Sequence, residues 1–152
     1  MPTLRHVLAA FAVLAGGCSA EDPATVIEQL IEATEVAGEA RDTGHFRGLI
    51  ADSYADARGN DRERLINLIR GYFLAHQSID VFTRIETVEL SGEDAAEIVV
   101  LAGILARQPG EGLLTGFDGR LYRLELELVE NDGDWQVIGA EWERSLEALR
   151  GD

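Results

Sequence analysis

A chain of 152 residues, 46% hydrophobic and 27% charged, suits a single domain large enough to bury a core. Lys and Arg number 13 against 28 Asp and Glu, a formal net charge of -15, and a surface that acidic repels phosphate backbones and anionic headgroups. Nucleic acid is therefore excluded as an expected partner, and a single cysteine, Cys18, excludes an internal disulfide.

The chain opens with Arg5 and His6, followed by the apolar run Val7 to Leu14. That run is too short to cross a bilayer as a helix but suits the core of a signal peptide. Leu14-Ala15-Gly16-Gly17-Cys18 follows at once and resembles the bacterial lipobox, with Ala15 standing where leucine is commonest. The resemblance implies a lipoprotein signal peptide over residues 1–17, palmitate-type acylation of Cys18 and a short tether over residues 18–21. The mature chain is then expected on the periplasmic side of the cell envelope, held to the membrane by more than one acyl chain. Ser19 after the cysteine resembles the pattern sorted to the outer membrane.

Asp22-Pro23 reads as the start of a helix, with Asp as the cap and Pro at the first helical position. Ile27, Leu30, Ile31, Thr34 and Ala37 recur at helical spacing, with Glu28, Glu32, Glu35 and Glu39 mostly off that stripe, and the helix is expected to end between Ala40 and Thr43. A shorter helix is expected from His45 to about Asp52, with Phe46, Leu49 and Ile50 inward. Asn60-x-x-Glu63 reads as a capping box for a third helix, whose stripe is Leu65, Leu68, Ile69, Tyr72 and Phe73.

After His76 the period changes from helical to two. Ile79, Val81, Thr83 and Ile85 alternate with Asp80, Phe82, Arg84 and Glu86, a strand running to about Leu90. Ile98 to Ala106 is continuously apolar, as expected of a strand covered on both faces. A glycine-rich connection over residues 108–119 retains Leu113, Leu114 and Phe117. From Arg120 onward, Tyr122, Leu124, Leu126 and Leu128 share one face while Arg123, Glu125 and Glu127 share the other. Asn131-Asp132-Gly133-Asp134 supplies a hairpin turn into a last strand that carries Trp135, Val137 and Trp142. Residues 145–152 form a tail, with a closing helical turn expected from Ser145 to Arg150.

Helices followed by strands make a segregated α+β pattern: three N-terminal helices packed on a curved four-stranded antiparallel sheet. In this order, the Asp52-Ser53-Tyr54 segment, the Arg70-Gly71-Tyr72-Phe73 helix end and the Gly133-Asp134-Trp135-Gln136-Val137-Ile138 strand resemble the nuclear transport factor 2-like (SnoaL-like) superfamily. The resemblance covers residues 22–144 and implies a cone with a pocket between sheet and helices. It also implies a range of functions, from isomerases, cyclases and dehydratases to non-catalytic binding domains.

The pocket-lining residues implied are Tyr54, Tyr72, Phe73, Tyr122 and Trp142, although aromatic stripes of this kind more often fill a core. Acid–base catalysis would need a carboxylate or histidine facing the pocket. Glu125, Glu127, Glu141, Glu143 and Asp80 all fall on the opposite face, so no inward acid is expected. His76 is a candidate base at the pocket rim, but a histidine at a helix C-terminus also gains from the helix dipole. His45 and His76 are too far apart for metal spacing, and a calcium-loop reading of residues 52–63 fails because Ala57 replaces the required glycine. No cofactor or metal is expected.

The leading expectation is a non-catalytic domain for a small apolar ligand or an envelope protein. The alternatives are a cofactor-independent lyase or isomerase using His76, Tyr54 or Tyr122, and a purely structural interaction module. The two-faced apolar strand adds an expectation of a homodimer or partner contact on the convex side of the sheet.

Overall fold

The computed structural model of the protein describes residues 21–110 and 117–145. The lipobox segment, Leu113 and Leu114, and the tail beyond Ser145 lie outside the described residues.

Helix α1 runs from Pro23 to Ala40 and buries Ile27, Ile31, Ala37 and Gly38. Asp22 holds the N-cap position, as its sequence suggests, but its side chain makes no capping hydrogen bond. The helix stops at Arg41, which turns left-handed (φ 56°). Helix α2 spans Thr43–Leu49 rather than His45–Asp52. It starts earlier because the Asp42 carboxylate accepts from the amides of Gly44 and His45. It ends earlier because Ile50 leaves the helix to bridge Val137 on the sheet.

Helix α3 covers Arg62–Ala75, and its cap corrects the expected capping box. Asp61 is the N-cap, accepting from the Arg64 amide at 2.8 Å. Asn60 instead turns back, its side-chain amide donating to Asp56 at 2.7 Å. Arg62 fastens α3 to the end of α2 by donating to the Ile50 carbonyl at 2.8 Å and pairing with Asp52 at 2.9 Å.

The sheet is a four-stranded antiparallel meander in sequence order: β1 Ser78–Leu90, β2 Ala95–Arg107, β3 Phe117–Asn131 and β4 Asp134–Arg144. Strand β3 starts at Phe117, so the far end of the glycine-rich connection is strand paired with β2 through Arg107, Ala106 and Leu105. Two register shifts curve the sheet. In β1 the shift falls between Ile85 and Thr87, which sets Val88 on the inner face beside Ile98. In the β3–β4 ladder it falls at Glu127/Leu128, so Trp135 and Val137 before it and Ala140 and Trp142 after it all face inward.

Both sheet edges are covered, which removes the hazard of an open ladder. Along β4, the segment after α2 donates from Ala51 to the Val137 carbonyl (3.0 Å) and from Ala55 to that of Ile138 (3.1 Å). Along β1, two glutamates of α1 take the free amides: Glu35 from Thr83 and Glu39 from Val81.

Two apolar clusters hold the helices to the concave face. The larger gathers Ile27, Ile66, Ile98, Val100, Leu128 and Trp135, and the smaller comprises Phe73, Ile79 and Ala106. On the convex face Arg123 pairs with Glu86 and Glu125. The outer side of β2 is less open than its apolar sequence suggests. Leu101 is only 8% exposed, while on the adjoining strand Phe82 is 63% exposed.

Candidate functional site

Between the two clusters the cone stays open, leaving a cavity of about 440 Å³. Every strand places residues on its wall by the period of two: Ile79, Val81 and Thr83 from β1, Val100, Ala102 and Ile104 from β2, Tyr122, Leu124 and Leu126 from β3, Ala140 and Trp142 from β4. The helices close it with Ile31 and Thr34, Phe46 and Leu49, and Ile69 and Phe73. Tyr54, Tyr72, Phe73, Tyr122 and Trp142 all stand on this wall. They line an open volume and do not stack to fill it. Phe46 meets Phe73 edge-on beside it, at 5.7 Å between centroids.

The tyrosines are not equivalent. Tyr54 is 2% exposed and its hydroxyl donates to Asp56 at 3.1 Å, so it is committed to the protein. Burial, then the bond and the charge of Asp56, push its pKa well above the ordinary tyrosine value. Burial works to raise the Asp56 carboxyl too, but hydrogen bonds from Asn60, Tyr54 and the Arg58 amide outweigh it and hold that group below its ordinary value. The Tyr72 hydroxyl, by contrast, is buried with no hydrogen-bond partner among the described residues, and burial raises its pKa.

His76 caps the C-terminus of α3. Its Nδ1 is bonded to the Tyr72 carbonyl at 2.8 Å and its ring lies against the Tyr72 ring at 4.2 Å. It is buried behind Tyr72 and is not among the residues that line the cavity. His45 likewise is engaged, its Nε2 lying 3.0 Å from the Thr34 hydroxyl.

The expectation of no inward acid is corrected at two places. Glu35 lines the cavity, its Oε2 accepting from the Thr83 amide at 2.8 Å and from the Thr83 hydroxyl at 2.7 Å. It stands four residues after Ile31, on the same side of α1. The second place is the start of β3. Arg120 has the parity of Tyr122 and lines the cavity, and Asp118, two residues earlier, pairs with it. The hydrogen bond from Arg120 holds the Asp118 carboxyl below its ordinary value, and Asp118 in turn raises the Arg120 guanidinium. Counting back in twos from Tyr122 would have found both.

No family model matches this sequence, and no curated protein matches it. Solved structures do. A scytalone dehydratase-like protein from Novosphingobium aromaticivorans superposes with a TM-score of 0.72 at 12% identity, covering 81% of this chain and 84% of the other. A ketosteroid isomerase-like protein from Erwinia carotovora gives 0.64 at 16% identity, covering 82% and 98%. A nuclear transport factor 2-like superfamily protein from Salmonella enterica gives 0.62 at 12% identity, covering 79% and 89%. The chain therefore has the nuclear transport factor 2-like, or SnoaL-like, α+β fold.

Proposed function

We propose that this chain is a membrane-tethered periplasmic lipoprotein whose domain binds a small apolar molecule without transforming it. The observation that carries this reading is the cavity itself. Its 440 Å³ falls within the range of ligand pockets, roughly 300–1,000 Å³. Its wall is mostly aliphatic and aromatic, and an unfilled volume of that kind costs packing energy that a closed core would recover. Native mass spectrometry of protein purified from its own envelope tests it. A co-purifying mass of a few hundred daltons is expected, lost in Ala102→Phe, which sets a ring into the cavity. A bare protein mass under gentle conditions, from both wild type and variant, counts against binding.

The tether rests on the lipobox-like segment ending at Cys18. Cys18→Ser protein should move from the membrane to the soluble fraction, and a variant that stays with membranes removes the anchor. For the convex face, a second copy is the proposed partner. Phe82 stands exposed in one register row with Gly103 and Leu121, beside the outward-facing Leu101 and Leu105 of β2. Sedimentation should give a dimer that Phe82→Glu dissociates, and a monomeric wild type ends the idea.

A second reading, a cofactor-independent lyase or isomerase on a cyclic apolar substrate, is favoured by Glu35 on the cavity wall. Glu35 joins Tyr122 as a residue to test: its bonds to Thr83 use only Oε2, whereas His76 does not line the cavity and the Tyr54 hydroxyl is given to Asp56. Solvent deuterium entering a cyclic ketone in D₂O, and lost in Glu35→Gln, would support it. No exchange above buffer would leave the binding reading.

A further inference from the structure

In a chain of net charge -15, one end of the inner sheet face is lined with arginines. Arg144 pairs in register with Tyr122 and so shares its inward face, and Arg120 lies two residues before Tyr122 on the cavity wall. Arg58, from the loop before α3, sits 4.3 Å above the Trp142 ring and donates to the Trp142 carbonyl at 2.6 Å. Against Arg120 and Arg144 stands Asp118, which pairs with Arg120 and is also acted on by Arg144 and His76. The other carboxylates close to this space are turned onto protein donors, Glu35 onto Thr83 and Asp56 onto Tyr54 and Asn60. On the convex face, by contrast, Arg123 is matched by two glutamates. The cavity thus has an apolar body and one end where the Arg120–Asp118 pair stands beside Arg144, and near that pair the buried Tyr72 hydroxyl lacks a hydrogen-bond partner among the described residues.

We infer that the cavity takes an amphiphile with a single carboxylate head, its apolar chain against the aliphatic wall and its head at Arg120, with Arg144 as a further donor. This rests on the small-ligand reading above and adds the ligand's chemical class. Asp118 takes the Nε and Nη2 side of Arg120, which leaves Nη1 and the Arg144 guanidinium to meet a planar, singly charged carboxylate. A dianionic head would meet Asp118, and a cationic head would meet Arg120 and Arg144.

The test is calorimetric titration of the full chain with decanoate, decanol and decylamine, three probes of equal chain length. Decanoate should bind at least about tenfold tighter than decanol, the scale of one charge-assisted hydrogen bond. Decylamine should bind weakest. Arg120→Gln should remove most of the decanoate preference while leaving decanol affinity in place. Because Arg144 is exposed, Arg144→Gln keeps the fold and should lower decanoate affinity alone. Decanol or decylamine binding as tightly as decanoate, or an unchanged preference in both variants, overturns the carboxylate assignment and leaves the ligand reading standing. Absence of heat with all three probes at two temperatures, between which apolar burial must show through its heat-capacity change, overturns both.

Discussion

Glu35 on α1 and Thr83 on β1 are joined twice, one carboxylate oxygen accepting from both the amide and the hydroxyl of the threonine at 2.8 and 2.7 Å. The pair closes the free edge of β1 and forms part of the cavity wall. Glu35→Ala should cost about 1–3 kcal/mol, because a charge-assisted bond is lost and a strand amide is left unmet. Thr83→Val should cost about 1 kcal/mol, and the double variant should show a coupling of at least about 0.5 kcal/mol in urea unfolding. Strictly additive costs would mean that the two residues act independently.

Gly38 lets α1 approach the same strand. A Cβ placed there would lie 3.1 Å from Val81 Cγ2. Alanine would gain about 1 kcal/mol of helix propensity, but overpacking costs about 1–3 kcal/mol. Gly38→Ala should therefore lower Tm, and Gly38→Ala with Val81→Ala should recover most of the loss. A single variant more stable than wild type would show that the helix moves away easily.

The open cavity predicts unequal costs for two leucines of one strand. Leu128 is 1% exposed in the larger cluster, whereas Leu126 faces the cavity. Leu128→Ala should cost about 3–5 kcal/mol and Leu126→Ala less, since its side chain already lacks neighbours on the cavity side. Equal losses in chemical denaturation would argue that the cone is closed in solution.

Tyr54 makes the domain sensitive to alkali. Its pKa is raised on folding above the ordinary value of about 10. The folded state thus holds that proton more tightly than the unfolded state does. Its contribution is complete below about pH 10 and falls away as the pH climbs beyond that. Tyr54→Phe should flatten this alkaline limb in unfolding measurements between about pH 9 and 11. An unchanged limb would place its origin elsewhere.

Asp56 has the opposite sign. Its carboxyl is held below the ordinary value by bonds from Asn60, Tyr54 and the Arg58 amide. The stability this contributes is present above the unfolded carboxylate range, near 4, and is lost as the pH falls through the lower folded value. Asp56→Asn should be less stable at neutral pH and less dependent on pH below about 5, and a parallel acid limb in the variant would refute the assignment.

Much of the architecture was legible before any coordinates. The period of two from Ile79 to Ile85 and from Tyr122 to Leu128 put the same residues inward that the structure does. The positive-φ tolerance of Asp132 and Gly133 placed the last hairpin. The helix stripes were legible in the same way, except in α3, where Ile66 is fully buried and Leu68 is 54% exposed.

The misreadings share a cause. Whether Asn60 or Asp61 caps α3 depends on Asp56, which competes for Asn60 from across a turn. Glu35 looked like a solvated helix glutamate because the strand edge that it satisfies lies 48 residues away.

Composition and periodicity by themselves determined the acidic surface, the α+β order and which strand residues face inward, since those follow from the burial preferences of neighbours in the chain. Tertiary structure alone decided that the cone stays open, that Tyr54 is engaged while the Tyr72 hydroxyl has no partner among the described residues, and that Arg58 reaches Trp142 across 84 residues. These are matters of distance between elements far apart in sequence, where helix placement and sheet curvature set which side chains meet.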